Sequence, residues 1–159
     1  MWDLERIQNV GITNKNVVEL VAGNLQKLPN TTQTILQLAA CIGDRFNLDI
    51  LATVSKTSLL DTAKALQPSL QTGFILPLNN NYRVPLLFSV QELDALGFEV
   101  SVGYRFLHDR VQQAAYSLIP ETQKQATHLE IGQLLLQLES LPIIVLKSSI
   151  FFALKLLFP

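Results

Sequence analysis

Cysteine, charge and glycine-rich turns are all scarce in this chain, and each shortage removes a class of function. A single cysteine, Cys41, excludes an intramolecular disulfide and any cysteine-based zinc site. Set in an apolar helical run, it reads as a small buried hydrophobe. Only 16% of the residues are charged, against about 25% in ordinary soluble domains, so part of the surface is expected to be covered by other protein. A net charge of -1 gives no support to nucleic acid or an anionic membrane as a partner. The seven glycines stand singly and no Gly-x-x-x-x-Gly-Lys-Ser/Thr run occurs, so the chain has no phosphate cradle of the P-loop kind.

Catalytic constellations are missing as well. The two histidines, His108 and His128, are twenty positions apart, with no Ser or Cys nucleophile at a strand-to-helix elbow. The acidic residues are spread out and form no convergent pair. His108-Asp109-Arg110 has the letters of a kinase catalytic loop in the wrong order and lacks the downstream Asn. No catalytic residue and no metal ligand is expected, and enzymatic activity in this chain alone is not. The opening MWDLERIQ has neither a basic stretch nor an apolar run, so no signal peptide is expected there. A reducing cytoplasm fits the single thiol.

What the chain does have is apolar periodicity. Hydrophobic residues make up 48% of it, enough for a real core. The organising stretch is Tyr104 to Pro120, YRFLHDRVQQAAYSLIP. Tyr104-Arg105-Phe106 alternates like a short strand. Asp109 is expected to cap the helix that follows, with Gln112 as its reciprocal partner. Leu107, Val111, Ala114, Ala115 and Leu118 then make one apolar stripe.

Earlier in the chain, helical spacing predicts a short helix over 1–10 and a second from Asn14 or Asn16 to Leu28. A third should be capped by Asn30 and end with Gly43 in a left-handed cap. This third helix is apolar almost all round and should be central. After a turn at Asp44-Arg45-Phe46, Asn47 should start a short helix. Thr57 should cap another, with Pro68 kinking it or ending its regular part. Phe74-Ile75-Leu76 reads as a strand, Asn79-Asn80-Asn81 as a turn and Tyr82-Arg83-Val84 as the returning strand. Ser89 with Glu92 makes a capping box closed by Gly97, and Phe98 to Val102 alternates like a strand. A last regular helix runs from about Glu121 to Glu139, with His128, Ile131, Leu134, Leu135 and Leu138 on one side and Gly132 permitting a close helix approach.

Two stretches, FLHDRVQQAAYSLIP and LQLAACIGDRFNLDILATV, carry a resemblance to a known family. Over roughly residues 1 to 139 the chain resembles the segment that follows the P-loop domain in signal-transduction ATPases with numerous domains (STAND, AAA-type). These ATPases occur in large bacterial, cyanobacterial-type, multi-sensor serine/threonine or histidine kinases. The resemblance implies a mainly α fold: a helical lead-in from an ATPase lid (1–29), a winged-helix domain with a short β wing (30–106), and the start of a TPR-like helical arm (107–139). The wing would come from 74–84 and 98–106. It also implies a non-catalytic coupling module that relays nucleotide state between a P-loop ATPase domain and helical repeats. ATP or ADP would then be the cofactor of the longer protein and not of this chain.

The resemblance also carries residue roles. Leu107-His108-Asp109 is similar to the Met-His-Asp motif of that class, with Leu in place of Met. His108 would reach the β-phosphate of bound ADP, and Asp109 would fix the backbone that aims it; the plainer role for His108 is to satisfy a loop carbonyl. Phe106, Leu107, Tyr116 and His128 complete the motif. For Tyr116 and His128 packing is the favoured reading, the tyrosine at a helix interface and the histidine hydrogen-bonded in a helix groove.

A winged-helix DNA-binding protein is the alternative of a different class. The third helix would read the groove, yet Ser58 to Thr72 offers only Lys64, with Lys56 just before it and Asp61 opposing. A third reading is a piece of an enzyme that takes its kinase character from the longer protein. The tail of residues 140–159, SLPIIVLKSSIFFALKLLFP, departs from the family. A truncated or frame-shifted end is the first reading, followed by a membrane segment over 141–158 and a helix buried on a missing partner. Lys147 near the middle would cost a membrane helix about 2.5–3.5 kcal/mol.

Overall fold

The computed structural model describes residues 14–97 and 101–138. Within them the fold is mainly helical, with a small three-stranded antiparallel sheet. In chain order the elements are α1 (Asn14–Leu25), α2 (Asn30–Ile42), β1 (Arg45–Asn47), α3 (Leu48–Ser55), α4 (Leu59–Gln71) and β2 (Ile75–Pro77). A 3-10 turn (Asn80–Arg83) follows, then α5 (Val84–Leu87), α6 (Val90–Ala95), β3 (Gly103–Phe106), α7 (Asp109–Ser117) and α8 (Glu121–Leu138).

The all-round apolar character of α2 does place it at the centre. Ile35, Leu36, Ala39, Ala40, Cys41 and Ile42 are buried, and the helix packs against α3, α4, α7 and α8. Each large aliphatic side chain taken out of water there contributes about 1.5–3 kcal/mol. Cys41 is the small buried hydrophobe that its neighbours implied. Asn30 does not cap the helix, however. Pro29 occupies the cap position with no side-chain bond, and Asn30 is already helical. The amide of Gln33 turns back to the carbonyls of Gln26 (3.0 Å) and Leu28 (2.7 Å), which stabilises the preceding turn instead. Gly43 leaves the helix at φ 158°, ψ -171°, an extended exit and not a left-handed one.

The expected turn at residues 44–46 is instead the start of a strand. β1 pairs with β3, and β3 with β2, in the order β1-β3-β2. Phe46, Tyr104 and Phe106 point to the core as one aromatic group, with the Phe46 ring centroid 5.8 Å from Tyr104 and 5.5 Å from Phe106. Three residues are too few for alternation to show in sequence, and only the partner sixty positions away makes this segment a strand.

The returning strand expected at Tyr82-Arg83-Val84 is absent. Asn79 caps a 3-10 turn by accepting from the Asn81 amide at 3.2 Å. Pro85 then sits at the start of α5, where its missing donor is harmless. The strand that pairs with β2 is β3, on the far side of α5 and α6. Ser89 and Glu92 make the expected capping box, the Ser89 amide donating to Glu92 Oε2 at 2.7 Å and the Glu92 amide to Ser89 Oγ at 3.3 Å.

Ser58, not Thr57, caps α4, accepting from the Asp61 amide at 3.0 Å. Pro68 lies inside the helix, which continues to Gln71. α1 ends at Leu25 and not at Leu28. A Cβ at Gly132 would meet nothing within 4 Å, so no close approach explains that glycine. The helix expected over 1–10, the first part of the strand expected at 98–102 and the 140–159 tail lie outside the described residues. Ser101 and Val102, the rest of that expected strand, precede β3 without being in a strand. Among the described residues no helix is long and apolar enough to cross a membrane.

Candidate functional site

β3 is the middle strand, and its end is held from both sides. The Phe106 amide donates to the Asp44 carbonyl at 3.0 Å, and the Leu107 amide to the Phe74 carbonyl at 2.9 Å. Phe106 is buried against Phe46, while Leu107 is half exposed. The backbone that enters His108 is therefore fixed by strand ends from two directions.

His108 is the cap of α7. It has extended backbone (φ -153°, ψ 153°), and its Nδ1 accepts from the Arg110 amide at 3.4 Å. The cap role expected of Asp109 is thus corrected: Asp109 is the first helical residue, where its carboxylate complements the positive end of the helix dipole. The correction has a simple stereochemical origin. Histidine Nδ1 stands at the same bond distance from Cβ as the side-chain oxygen of Asn or Asp, so it reaches the same cap donor. With Nδ1 accepting, the neutral ring carries its proton on Nε2, and that N–H is left as a donor on an exposed side chain. Gln112, expected as the reciprocal cap partner, donates to the Ala40 carbonyl at 3.2 Å and ties α7 to the end of α2. Asp44, Leu107, His108 and Asp109 share one open cleft at this corner.

Tyr116 and His128 form a second grouping. The Tyr116 hydroxyl lies 3.0 Å from His128 Nε2, joining α7 to α8. His128 is buried, and burial first, then the nearby Lys124 ammonium, holds its imidazole below the ordinary histidine value. Burial likewise raises the Tyr116 phenol, helped by Cys41 and opposed by Lys124. The Lys124 ammonium lies 4.8 Å from the centre of the Tyr116 ring and 2.6 Å from Glu121. Burial pushes the Cys41 thiol up to about 12, against a smaller opposing effect of Lys124. The thiol is held protonated and is no nucleophile. Among the described residues no group of three or more His, Cys, Asp or Glu could hold a metal ion.

Sequence reasoning missed three long-range relations here: Gln112 with Ala40, Lys56 with Glu130 (2.5 Å), and the register of β1 on β3. None has a local signal. The second of these engages Lys56 with α8, which leaves Lys64 as the exposed cation on α4.

The chain is similar to part of a signalling kinase. It is 30% identical over 151 aligned residues to hybrid signal transduction histidine kinase G of Dictyostelium discoideum. The match takes in 84% of this chain and 4% of that protein, so the chain spans a small fraction of its relative's length. No family model matches the chain, and no solved structure does.

Proposed function

We propose that this chain is a non-catalytic coupling module of a cytoplasmic signalling ATPase-kinase of the STAND type. A winged-helix unit (30–106) takes a signal from a neighbouring P-loop domain, and a TPR-like arm starting at 107 carries it to helical repeats. ATP or ADP belongs to the P-loop domain and not to this chain. The observation that carries the reading is His108: a cap whose Nδ1 accepts from the Arg110 amide, at a backbone corner fixed by two strands, with Nε2 unpartnered among the described residues on an exposed ring. An imidazole held in this way can donate to a phosphate oxygen of a bound nucleotide. The order helix, strand, helix, helix, strand and, after the short helices α5 and α6, a last strand, with sheet order β1-β3-β2, supports the winged-helix part. The similarity to a histidine kinase supports the signalling part.

The test joins this segment to its upstream ATPase domain and compares His108→Ala with His108→Asn. Asparagine keeps a cap acceptor of the same reach but lacks the Nε2–H donor. Faster ADP loss and raised basal signalling are expected in both variants, with thermal stability retained in the Asn form. Unchanged ADP retention in both would make His108 a cap and nothing more.

A further inference from the structure

Arg45 and Arg105 are cross-strand partners on the outer face of the β1–β3 pair. The ladder bonds run from the Phe106 amide to Asp44 and from the Leu48 amide to Val102. That pattern leaves Arg45 and Arg105 as a non-hydrogen-bonded pair, the arrangement in which opposing Cα atoms come within about 4.5 Å and side chains lie closest. Like charges directly opposite one another destabilise a sheet. They cannot be relieved by slippage, because a one-residue shift would turn Phe46 or Tyr104 and Phe106 out of the core. Neutralisation in place is only partial. Asp44 reaches Arg45 only at 4.0 Å, with both side chains exposed, and Arg105 has no ion-pair partner among the described residues. Both arginines line the cleft that holds His108.

We propose that Arg45 and Arg105 form a phosphoryl-binding pair, with His108 Nε2–H as the third donor. A guanidinium can present two parallel N–H groups to phosphate oxygens, so the pair matches a multiply charged phosphoryl group. Asp44 and Asp109 line the same cleft and offset part of its positive charge, so they limit the affinity for any anion. The ligand is the terminal phosphoryl end of a nucleotide presented by a neighbouring domain; that source rests on the coupling role proposed above, whereas the phosphoryl chemistry does not.

Pyrophosphate, ADP and phosphoserine are titrated separately into the full 159-residue chain, following the arginine Nε–H and His108 ring resonances by NMR. Saturable, salt-sensitive shifts are expected with pyrophosphate and ADP, and weaker ones with phosphoserine. Arg105→Gln should weaken pyrophosphate binding by about tenfold or more and, by removing the like-charge contact, raise the thermal stability of the free chain. Asp44→Asn should tighten binding. Absence of saturable shifts, or equal binding by Arg105→Gln, overturns the pair as a site. Tighter binding of phosphoserine than of ADP overturns the nucleotide as its source. If ADP retention in the joined protein depends on His108 while this chain ignores pyrophosphate, the pair fails and the coupling role stands; the reverse result separates them the other way.

Discussion

The Tyr116 hydroxyl and His128 Nε2, 3.0 Å apart, form a hydrogen bond that crosses from α7 to α8. His128 Nδ1 is buried and has no partner among the described residues, so this bond is the ring's polar anchor. Tyr116→Phe should therefore destabilise the fold by about 1–3 kcal/mol, the usual result of stranding a buried polar atom. Replacing both partners, Tyr116→Phe with His128→Leu, should lose less than the sum of the single changes. Urea unfolding of the four chains gives the coupling, and strict additivity would show that the contact contributes nothing.

The same histidine sets a pH dependence. Its folded pKa lies below the unfolded value near 6.5, because burial and Lys124 disfavour the charged ring. The stability gained from the neutral ring is thus complete above the unfolded pKa and is lost as the pH falls through the folded one. Unfolding measured at about pH 7.5 and about pH 5.5 should show the weaker fold at the lower value. His128→Leu should reduce that difference, and an unchanged difference would place the dependence elsewhere.

Tyr104 carries a buried phenol whose oxygen has no hydrogen-bond partner among the described residues. Burial, with Tyr82 adding to it, pushes its pKa up to about 12. Tyr104→Phe keeps the ring contact with Phe46 and removes an unpaired polar group. Thermal unfolding should find it neutral or up to about 1 kcal/mol more stable, whereas a clear loss would reveal a partner for the hydroxyl.

Gly103 faces the outer side of β3, where an added Cβ would meet Leu78 Cδ1 at 3.0 Å and Asn47 Oδ1 at 3.3 Å. Leu78 is partly exposed and can give way, so Gly103→Ala should destabilise by about 1 kcal/mol, the low end for overpacking. Adding Leu78→Ala should recover part of that loss, as read by urea midpoints. No recovery would place the strain in the backbone instead.

Local chemistry was legible where the answer lay within one or two turns of chain. The stripes of α2, α4 and α8, the α7 stripe apart from Leu107 (exposed and outside the helix), the Ser89–Glu92 cap and the strand character of Tyr104 to Phe106 all follow from spacing and residue type. β1 was not legible, because Arg45-Phe46-Asn47 becomes a strand only through β3. Tyr82-Arg83-Val84 misled for the opposite reason: an aromatic and β-branched triplet after an Asn run has the composition of a hairpin return. The Asn79 cap and Pro85 turn it helical. At the corner, His108 stood out in sequence, but its cap role went to Asp109 because carboxylates lead histidine in cap preference. The Arg45–Arg105 relation needed the strand register and had no sequence signal.

The middle strand of the sheet is also the last to be made. β1 and β2 have no partner until β3 is synthesised, sixty positions after Arg45, and both then close on the same strand. Helices α2, α3 and α4 can assemble first from near neighbours, whereas sheet closure must wait for a large loop to be drawn in. Until then two short strand edges stand open to a nascent neighbour. The amides of Phe106 and Leu107, which complete that closure, lie immediately before His108. Protection of these two amides from hydrogen exchange should thus rise late in refolding, together, and coincide with the moment the histidine corner takes its final shape.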